Sequence, residues 1–335
     1  NVGRASNLNL DLSSDKSGST VEFWMKKVAM ADDSDDSKRE VIFDLWNNKT
    51  PSNPHYGRLT IEMQTTSSSE RLFHITAQSG TTTANTKYTI GTITSADIVG
   101  TTKHYAFTFK NSGTKIRTRL YVDGKLNEEI HRGTNFSFPL TGAMMANIGS
   151  LVYGPSDSGY ASHRADMNGW GKMSASLDEF RYWRTERSAR DIDRYFRTHA
   201  DGGTNTDDDK HDKFKPVELG VYYKFNEGVT STSSIDNSVL DYSGRISNGT
   251  WVGYSSGARS TNSLIDDSAV NTQNEFKDPI IYSFHPDVKS KLASLKLDGR
   301  LHDHNNVSMI YNYFPKWMLM EDSESTLYDL TQIIA

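Results

Sequence analysis

The chain has 335 residues, a formal net charge of −5, no cysteine and an aromatic content of 11%. This length suits one large or two ordinary domains, which can bury a core without disulfides. The charge excludes the basic surface that nucleic-acid binding needs, and no run of about eighteen apolar residues predicts a membrane span. Because the chain lacks an initiating Met and ends on the apolar LTQIIA, we expect it to be part of a longer polypeptide.

Short stretches in the first 183 residues predict β-strands, since most of them alternate apolar and polar residues between turns. Such alternation gives each strand one buried and one solvated face, as in antiparallel sheets. Asp123-Gly124 is a favoured two-residue hairpin turn and is predicted to pair RLYV with KLNEE. Two such sheets packed face to face form an all-β sandwich. The stretches are STVEFWMK (19–26), VIFDLW (41–46), RLTIEMQ (58–64), RLFHITAQ (71–78), HYAFTFK (104–110), KIRTRLYVDGKLNEE (115–129) and LDEFRYW (177–183).

A short helix is predicted directly after the last of these strands. Ser188 and Asp191 have the spacing of a capping box, with Asp in place of the usual Glu. Ile192, Tyr195 and Phe196 follow at helical spacing, so the helix should pack against the sandwich. The sandwich is therefore predicted to span residues 1–198, and the polar, glycine-bearing stretch 199–216 to be a linker.

Beyond the linker, residues 217–278 predict a partial β module around YYKFNEG (222–228) and DYSGRISNGTW (241–251). Two strands cannot bury enough apolar area to stand alone, so they must join the first sandwich, a neighbouring copy or absent sequence. Residues 279–335 predict a helical and aromatic docking tail, whose apolar surface usually meets a partner.

The motifs STVEFWMK, KHYAFTF, RLYVDGKLNEE, NIGS (147–150) and LDEFRYW occur in one order at one set of spacings. Together they resemble the laminin-G-like, concanavalin A-like lectin/glucanase sandwich over residues 8–198. The FNEG and DYSG motifs resemble the first strand of the same module. FKDPIIYSFHPDV and the last 26 residues resemble large structural proteins of tailed bacteriophages. The resemblance implies an antiparallel jelly-roll sandwich with a smaller mixed C-terminal region containing short helices.

Glucanases of this fold carry a Glu-x-Asp-x-x-Glu cluster, which projects a nucleophile and an acid into one cleft. Glu-x-Asp does not occur in this chain, and Asp178 and Glu179 should lie on opposite faces of their strand. We therefore predict no catalytic residues and no enzymatic activity.

Asp178 is the one predicted metal ligand. It should share an inward strand face with Phe180 and Tyr182, and a buried carboxylate needs hydrogen-bond donors or a cation. The resemblance implies a calcium ion, completed by loop carbonyls; alternatively, Asp178 caps a turn or accepts backbone N–H groups. Apart from calcium, no cofactor is predicted. His302 and His304 could share a metal, but without a second ligand pair a solvated pair is the simpler interpretation.

The stretch 152–172 is the loop richest in residues suited to carbohydrate. Tyr160 and Trp170 could stack on a sugar, while Arg164 and Asn168 could hydrogen-bond its hydroxyl groups. The alternative is that these residues pack on the sandwich or on a neighbouring subunit.

These features predict a non-enzymatic virion structural protein of a tailed phage, with a surface module for subunit contact or glycan attachment. Its partners would be other virion subunits in multiple copies, together with a cell-surface glycan, and its location the virion. Neither nucleic acid nor membrane is an expected partner. The alternative hypothesis is a secreted or cell-surface bacterial carbohydrate-binding lectin module, which would be extracellular.

Overall fold

The computed structural model describes residues 8, 10–12, 18–30, 39–49, 53–64, 70–80, 86–133, 135–136, 144–151, 171–197, 219–226, 237–243 and 247–252. All of them lie in the first of the chain's two units, residues 1–264. The predicted linker at 199–216 and docking tail at 279–335 lie outside the described residues. Neither helix of the described ranges is long and apolar enough to cross a membrane.

The described ranges contain thirteen strands and two short helices. The helices are α1 (Ser95–Ile98) and α2 (Ala189–Tyr195). The strands are β1 (Ser19–Lys26), β2 (Glu40–Trp46), β3 (Gly57–Met63), β4 (Phe73–Ser79), β5 (Thr86–Ile90), β6 (Thr102–Ser112), β7 (Lys115–Val122), β8 (Lys125–Arg132), β9 (Met145–Ile148), β10 (Ser176–Trp183), β11 (Leu219–Tyr223), β12 (Ser238–Val239) and β13 (Gly249–Thr250).

Two antiparallel sheets form the predicted jelly-roll sandwich. The first has the strand order β11-β10-β1-β6-β7-β8 and the second β5-β4-β3-β2-β9, while β12 and β13 pair as a separate ribbon. Aromatic side chains from the two sheets meet between them: the Phe43 and Phe180 rings lie 5.4 Å apart and the Phe73 and Phe107 rings 5.2 Å apart. The fold class predicted from the sequence is confirmed.

The inward faces follow the predicted alternation. On β3 and β4, Leu59, Ile61, Phe73 and Ile75 have no exposed surface and belong to one apolar cluster between the sheets. Burying each of these side chains stabilises the fold by about 1.5–3 kcal/mol. The same cluster contains Tyr105, Phe107 and Phe109 of β6 and Ile116 and Leu120 of β7.

The outward faces of the central strands contradict the prediction of one solvated face per strand. Every residue of β2 and β3 is buried, and on β1 only Lys26 is exposed. Glu22, Asp44 and Arg58 are among the polar residues with no exposed surface. In an alternating pattern, a polar residue shows only that its side chain points away from the apolar core. It does not show that the side chain is solvated, because a paired charge can also be buried.

The hairpin at Asp123-Gly124 forms as predicted. Both residues have positive φ, 48° and 80°, and Val122 pairs with Lys125 across the turn. One half of the predicted capping box is confirmed, since the Asp191 N–H donates to Ser188 Oγ at 3.1 Å. The Asp191 carboxylate accepts from the Ser188 hydroxyl at 2.6 Å.

Helix α2 covers part of the outward face of the six-stranded sheet. Ile192 is fully buried against Ala106 and Tyr121. The Trp24 indole N–H donates to the Phe196 carbonyl at 2.9 Å, so the end of the helix is held to β1. This packing confirms the predicted contact between helix and sandwich.

Strand β11 belongs to the first sandwich. Its Val221 pairs with Tyr182 and its Tyr223 with Phe180, at the edge of the six-stranded sheet. Val221 reaches the apolar cluster between the sheets. Of the three partners that the sequence allowed for this stretch, the structure shows the first sandwich, and the sheet continues beyond residue 198.

Replacing Gly124 by Ala should destabilise the fold more than the same change at Gly113. Both glycines have positive φ in two-residue turns, which alone costs Ala about 1–2 kcal/mol. A Cβ at Gly124 would also lie 3.0 Å from the Asp193 Cα, whereas a Cβ at Gly113 meets open space. Urea denaturation of both variants measures the difference. Equal losses in the free energy of unfolding would show that α2 does not pack closely against this turn.

Candidate functional site

The four residues predicted to bind glycan or a neighbouring subunit, Tyr160, Arg164, Asn168 and Trp170, lie outside the described residues, as do His302 and His304. Both ends of the loop that carries the first four are described. Gly149 donates its N–H to the Ile42 carbonyl at 3.1 Å, and the Val41 N–H donates to the Gly171 carbonyl at 2.8 Å. The loop therefore leaves and rejoins the sandwich beside β2, and the roles of its residues stay predictions.

A β-bulge changes the predicted setting of Asp178. Glu179 has a φ of 51°, and Asp178 pairs with Trp24 while Arg181 pairs with Glu22. Residues directly opposite on an antiparallel pair share a face. Asp178 therefore lies on the outward side with Trp24, and the predicted inward face was wrong.

The carboxylate of Asp178 accepts the Glu179 N–H at 2.9 Å, which is the backbone contact that the sequence offered as the alternative to calcium. Among the described residues, no group of three His, Cys, Asp or Glu side chains converges as a metal site. The described side chains thus do not assemble a calcium site, and coordination by Asp178 stays a prediction that depends on backbone carbonyls.

Glu22 is the centre of a buried ion network on the outward face of β1. Arg187 Nη1 donates to its Oε1 at 2.8 Å, the Trp183 indole N–H donates to the same oxygen, and His104 Nε2 lies 3.6 Å from Oε2. Burial alone would raise the pKa of Glu22, but Arg187, His104 and Arg181 together hold that pKa far below its usual range. Glu22 is therefore ionised at neutral pH, and its contacts join β1, β10 and the segment before α2.

The network continues through Glu179 to β11. Arg181 Nη2 donates to Glu179 Oε2 at 2.7 Å, and the Tyr222 hydroxyl donates to the same oxygen at 2.5 Å. Glu179 therefore lies on the outward face near Asp178, so the predicted separation of the two carboxylates on opposite faces does not hold. Glu179 Oε2 accepts both of these hydrogen bonds, so this oxygen is not available for acid catalysis.

The five-stranded sheet buries a second ion pair. Arg58 donates to both carboxylate oxygens of Asp44 at 2.7 Å, and the Thr60 hydroxyl donates to Asp44 Oδ1 at 2.8 Å. The Arg58 guanidinium lies 5.4 Å from the centre of the Trp46 ring. Two further buried carboxylates lie near cations: Lys27 Nζ donates to Glu40 Oε2 at 2.6 Å, and Arg39 Nη1 lies 3.5 Å from Glu62 Oε2.

A cleft of about 540 Å³ opens at the edge of the sandwich, where β5 of one sheet lies beside β8 of the other. Glu128, Ile130 and Arg132 line one wall as alternate residues of β8. Lys87 and Tyr88 line the other wall. Arg71, which precedes β4, also lines this edge cleft.

The sequence analysis did not find the edge cleft, because it did not predict β5. The signal was present but short: Tyr88 and Ile90 alternate with Lys87 and Thr89 over only five residues. Strand β8 was predicted, but only as the partner of β7. Its pairing with β7 does not reveal which strand of the other sheet lies beside it.

Comparison with known proteins gives no family for the chain. No family model matches it, and no curated protein matches its sequence. Among solved structures, it is similar to a protein from Bacteroides ovatus with a proposed carbohydrate-binding role: 15% identity, 72% of this chain and 53% of that chain covered, TM-score 0.38.

Two further structures have comparable likeness. A SAP-like pentraxin from Limulus polyphemus has 12% identity over 53% of this chain and 69% of that chain, with a TM-score of 0.32. Domains LG4-5 of the mouse laminin α1 chain have 14% identity over 55% of this chain and 40% of that chain, with a TM-score of 0.33. The chain thus spans about half the length of the Bacteroides protein and less of the laminin fragment. Likeness at this level says nothing about what the chain binds.

Replacing Glu22 by Gln should lower the free energy of unfolding by about 3–5 kcal/mol at pH 7, because two arginines and a histidine lose their buried anion. The matched control is Glu129→Gln, which removes a partly exposed ion pair with Arg119 and should cost less than about 1 kcal/mol. Urea denaturation measures both variants.

The cost of Glu22→Gln should also depend on pH. The folded-state pKa of Glu22 lies below its unfolded value, so its stabilising contribution is present above about pH 4.3 and is lost as the pH falls. The difference between wild type and variant should therefore shrink in acid. A difference that stays constant from pH 7 to pH 3 would contradict the assigned ionisation.

Proposed function

We propose that the chain is a non-enzymatic carbohydrate-binding module. The observation that carries this proposal is the edge cleft, whose volume of about 540 Å³ falls in the range of small-molecule sites. Tyr88 and Ile130 give it apolar surface, on which the C–H face of a sugar ring can lie. Arg71, Glu128 and Arg132 surround that surface with groups that hydrogen-bond hydroxyls.

The state of the carboxylates supports a binding role without catalysis. Glycoside hydrolysis needs one carboxylate and one carboxylic acid that both reach the substrate. In the described residues, Glu22, Glu40, Asp44, Glu62 and Glu179 are buried and lie within 3.5 Å of an Arg or Lys nitrogen. A carboxylate held in this way lies away from solvent and already pairs with a cation, so it does not reach a substrate in either role.

The place of this module in a particle is a further part of the proposal. The resemblance of the C-terminal stretches to structural proteins of tailed phages supports a virion component that contacts neighbouring subunits in multiple copies. Under this proposal the sandwich is the surface module that attaches the particle to glycan. The alternative, a secreted or cell-surface bacterial lectin module, shares the binding function and differs in location.

The chain should bind saccharides and leave them intact. Binding of the full chain to an immobilised panel of neutral and acidic saccharides, read by fluorescence, should show retention on a subset. Incubation with β-glucans should release no reducing ends. Absence of retention on the whole panel would contradict the binding proposal, and released reducing ends would contradict the non-enzymatic one.

Imaging distinguishes a virion subunit from an extracellular lectin module. Electron microscopy of the purified chain, alone and within particles, should show an ordered array of many copies if it is a virion subunit. A monodisperse single copy that binds saccharide would instead support the extracellular lectin.

A further inference from the structure

Side chains rather than a strand ladder hold β5 and β8 together at one end of the edge cleft. The Gly91 N–H donates to Glu128 Oε2 at 2.7 Å. The Thr92 N–H donates to Asn127 Oδ1 at 2.9 Å, and Asn127 Nδ2 donates back to Thr92 Oγ1 at 3.0 Å. These contacts fix the position of the Glu128 side chain at this end of the cleft.

Arg71 and Glu128 form an ion pair that lines the cleft. Arg71 Nη1 donates to Glu128 Oε2 at 2.8 Å, the same oxygen that accepts the Gly91 N–H. The two side chains keep 46% and 20% of their surface exposed, so a solute can reach both of them. The positive and negative charges of this pair cancel each other.

Both members of the ion pair keep hydrogen-bonding capacity for a ligand. Among the described residues, Glu128 Oε1 accepts no hydrogen bond, and Arg71 Nε and Nη2 donate none. A carboxylate can accept on both oxygens, and a guanidinium carries five N–H donors. A free acceptor therefore lies beside free donors, on two side chains that hold each other in place.

Two adjacent sugar hydroxyls complement this arrangement. Each hydroxyl has one O–H donor and two acceptor lone pairs, so one can donate to Glu128 Oε1 while its neighbour accepts from Arg71. Hydrogen bonds with one ionised partner are roughly twice as strong as those between neutral groups. The ion pair can thus recognise an uncharged ligand without losing its own contact.

The surface beside the ion pair is apolar. Ile130 lies two residues after Glu128 on the same face of β8, and Tyr88 of β5 lines the opposite wall. Both side chains pack against the core cluster, and the Tyr88 hydroxyl is hydrogen-bonded to Thr118 Oγ1 at 2.8 Å. A fixed apolar floor with a few polar groups beside it is typical of small-molecule sites.

The other two cations that line the described cleft are not part of this arrangement. Lys87 alternates with Tyr88 along β5, so its side chain leaves from the other face of that strand, where Nζ donates to Gln64 Oε1 at 3.4 Å. Arg132 lies four residues after Glu128, roughly 13 Å along β8. This distance exceeds the screening length of about 8 Å at physiological ionic strength. An anionic substituent at the ion pair would therefore meet the Glu128 carboxylate without either of these cations to offset it.

We infer that the edge cleft binds a neutral saccharide, with two adjacent hydroxyls on Arg71 and Glu128 and the sugar ring over Tyr88 and Ile130. This inference rests on the proposed carbohydrate-binding function, and it names the class of saccharide and the ion pair that selects it. A carboxylate or sulfate is disfavoured, because it would have to displace Glu128 from Arg71 and would be repelled by the displaced carboxylate.

Retention of the full chain on an immobilised panel tests the class of saccharide. The panel carries neutral trisaccharides of glucose, galactose and mannose, and its acidic members are tri-galacturonate and a sulfated galactose trisaccharide. At least one neutral member should bind about tenfold or more tightly than either acidic member. Raising the salt concentration from 50 to 500 mM should leave that affinity unchanged, since a neutral ligand brings no charge for salt to screen.

Two variants locate the binding. Arg71→Gln and Glu128→Gln should each weaken binding of the neutral trisaccharide about tenfold, because each loses one charge-assisted hydrogen bond. The matched control is Glu129→Gln, which makes the same change at the next residue of β8. It removes a partly exposed ion pair with Arg119 outside the lining of the cleft and should leave the affinity unchanged.

Thermal denaturation checks that the three variants fold like the wild type. Arg71→Gln keeps the hydrogen bond between the Gly91 N–H and Glu128, so it tests the inference even if Glu128→Gln loosens that end of the cleft.

The results that would overturn this inference differ from those that would reject the proposed function. Acidic members that bind as tightly as the neutral ones, or more tightly, would contradict the class of saccharide but leave carbohydrate binding standing. Neutral binding that survives the Arg71→Gln/Glu128→Gln double variant would place the saccharide elsewhere on the chain. An equal loss in Glu129→Gln would show that the ion pair of Arg71 and Glu128 has no specific role. Absence of retention on the whole panel would reject both proposals.

Discussion

The buried charges on the outward face of the six-stranded sheet are the constraint on which the rest of the structure depends. Glu22 and Glu179 are both fully enclosed, and their partners come from β10, β11 and the segment before α2. An unpaired charge in such a place would cost several kcal/mol, so the elements that carry its partners must dock together. The network therefore specifies the arrangement of these elements more than it adds net stability.

Strand β11 illustrates this coupling. It follows β10 in the sheet but is separated from it by more than twenty residues of sequence, so local signals cannot bring the two together. Tyr222 supplies a hydroxyl to Glu179, and its ring lies 5.1 Å from the Arg181 guanidinium. The bulge at Glu179 makes the first contact possible, because it turns that carboxylate to the outward face. The bulge thus adds a side-chain contact to the strand pairing that holds β11 in the sheet.

The parts of the fold that the sequence predicted correctly are those encoded by neighbouring residues. Alternation in β3, β4 and β6, the Asp123-Gly124 turn and the Ser188–Asp191 cap each depend on spacings of four residues or fewer. The bulge at Glu179 was missed because no spacing marks it, and the face of Asp178 was wrong as a consequence. Strand β5 was missed because five residues are too few to distinguish alternation from chance. The edge cleft depends on β5, so it could not be predicted either.

Arginine and lysine side chains occur both in the buried ion networks and at the edge cleft. Arg58 and Arg181 each meet a buried carboxylate, which leaves no electrostatic demand for a further ligand. Lys87 and Arg132 line the edge cleft together with the ion pair of Arg71 and Glu128. Charged residues on edge strands also discourage pairing with other chains, and this alone could account for cations on β5 and β8. Protection of an edge, however, needs only scattered charge. It does not require the apolar floor of Tyr88 and Ile130, and that floor is the feature that favours a ligand.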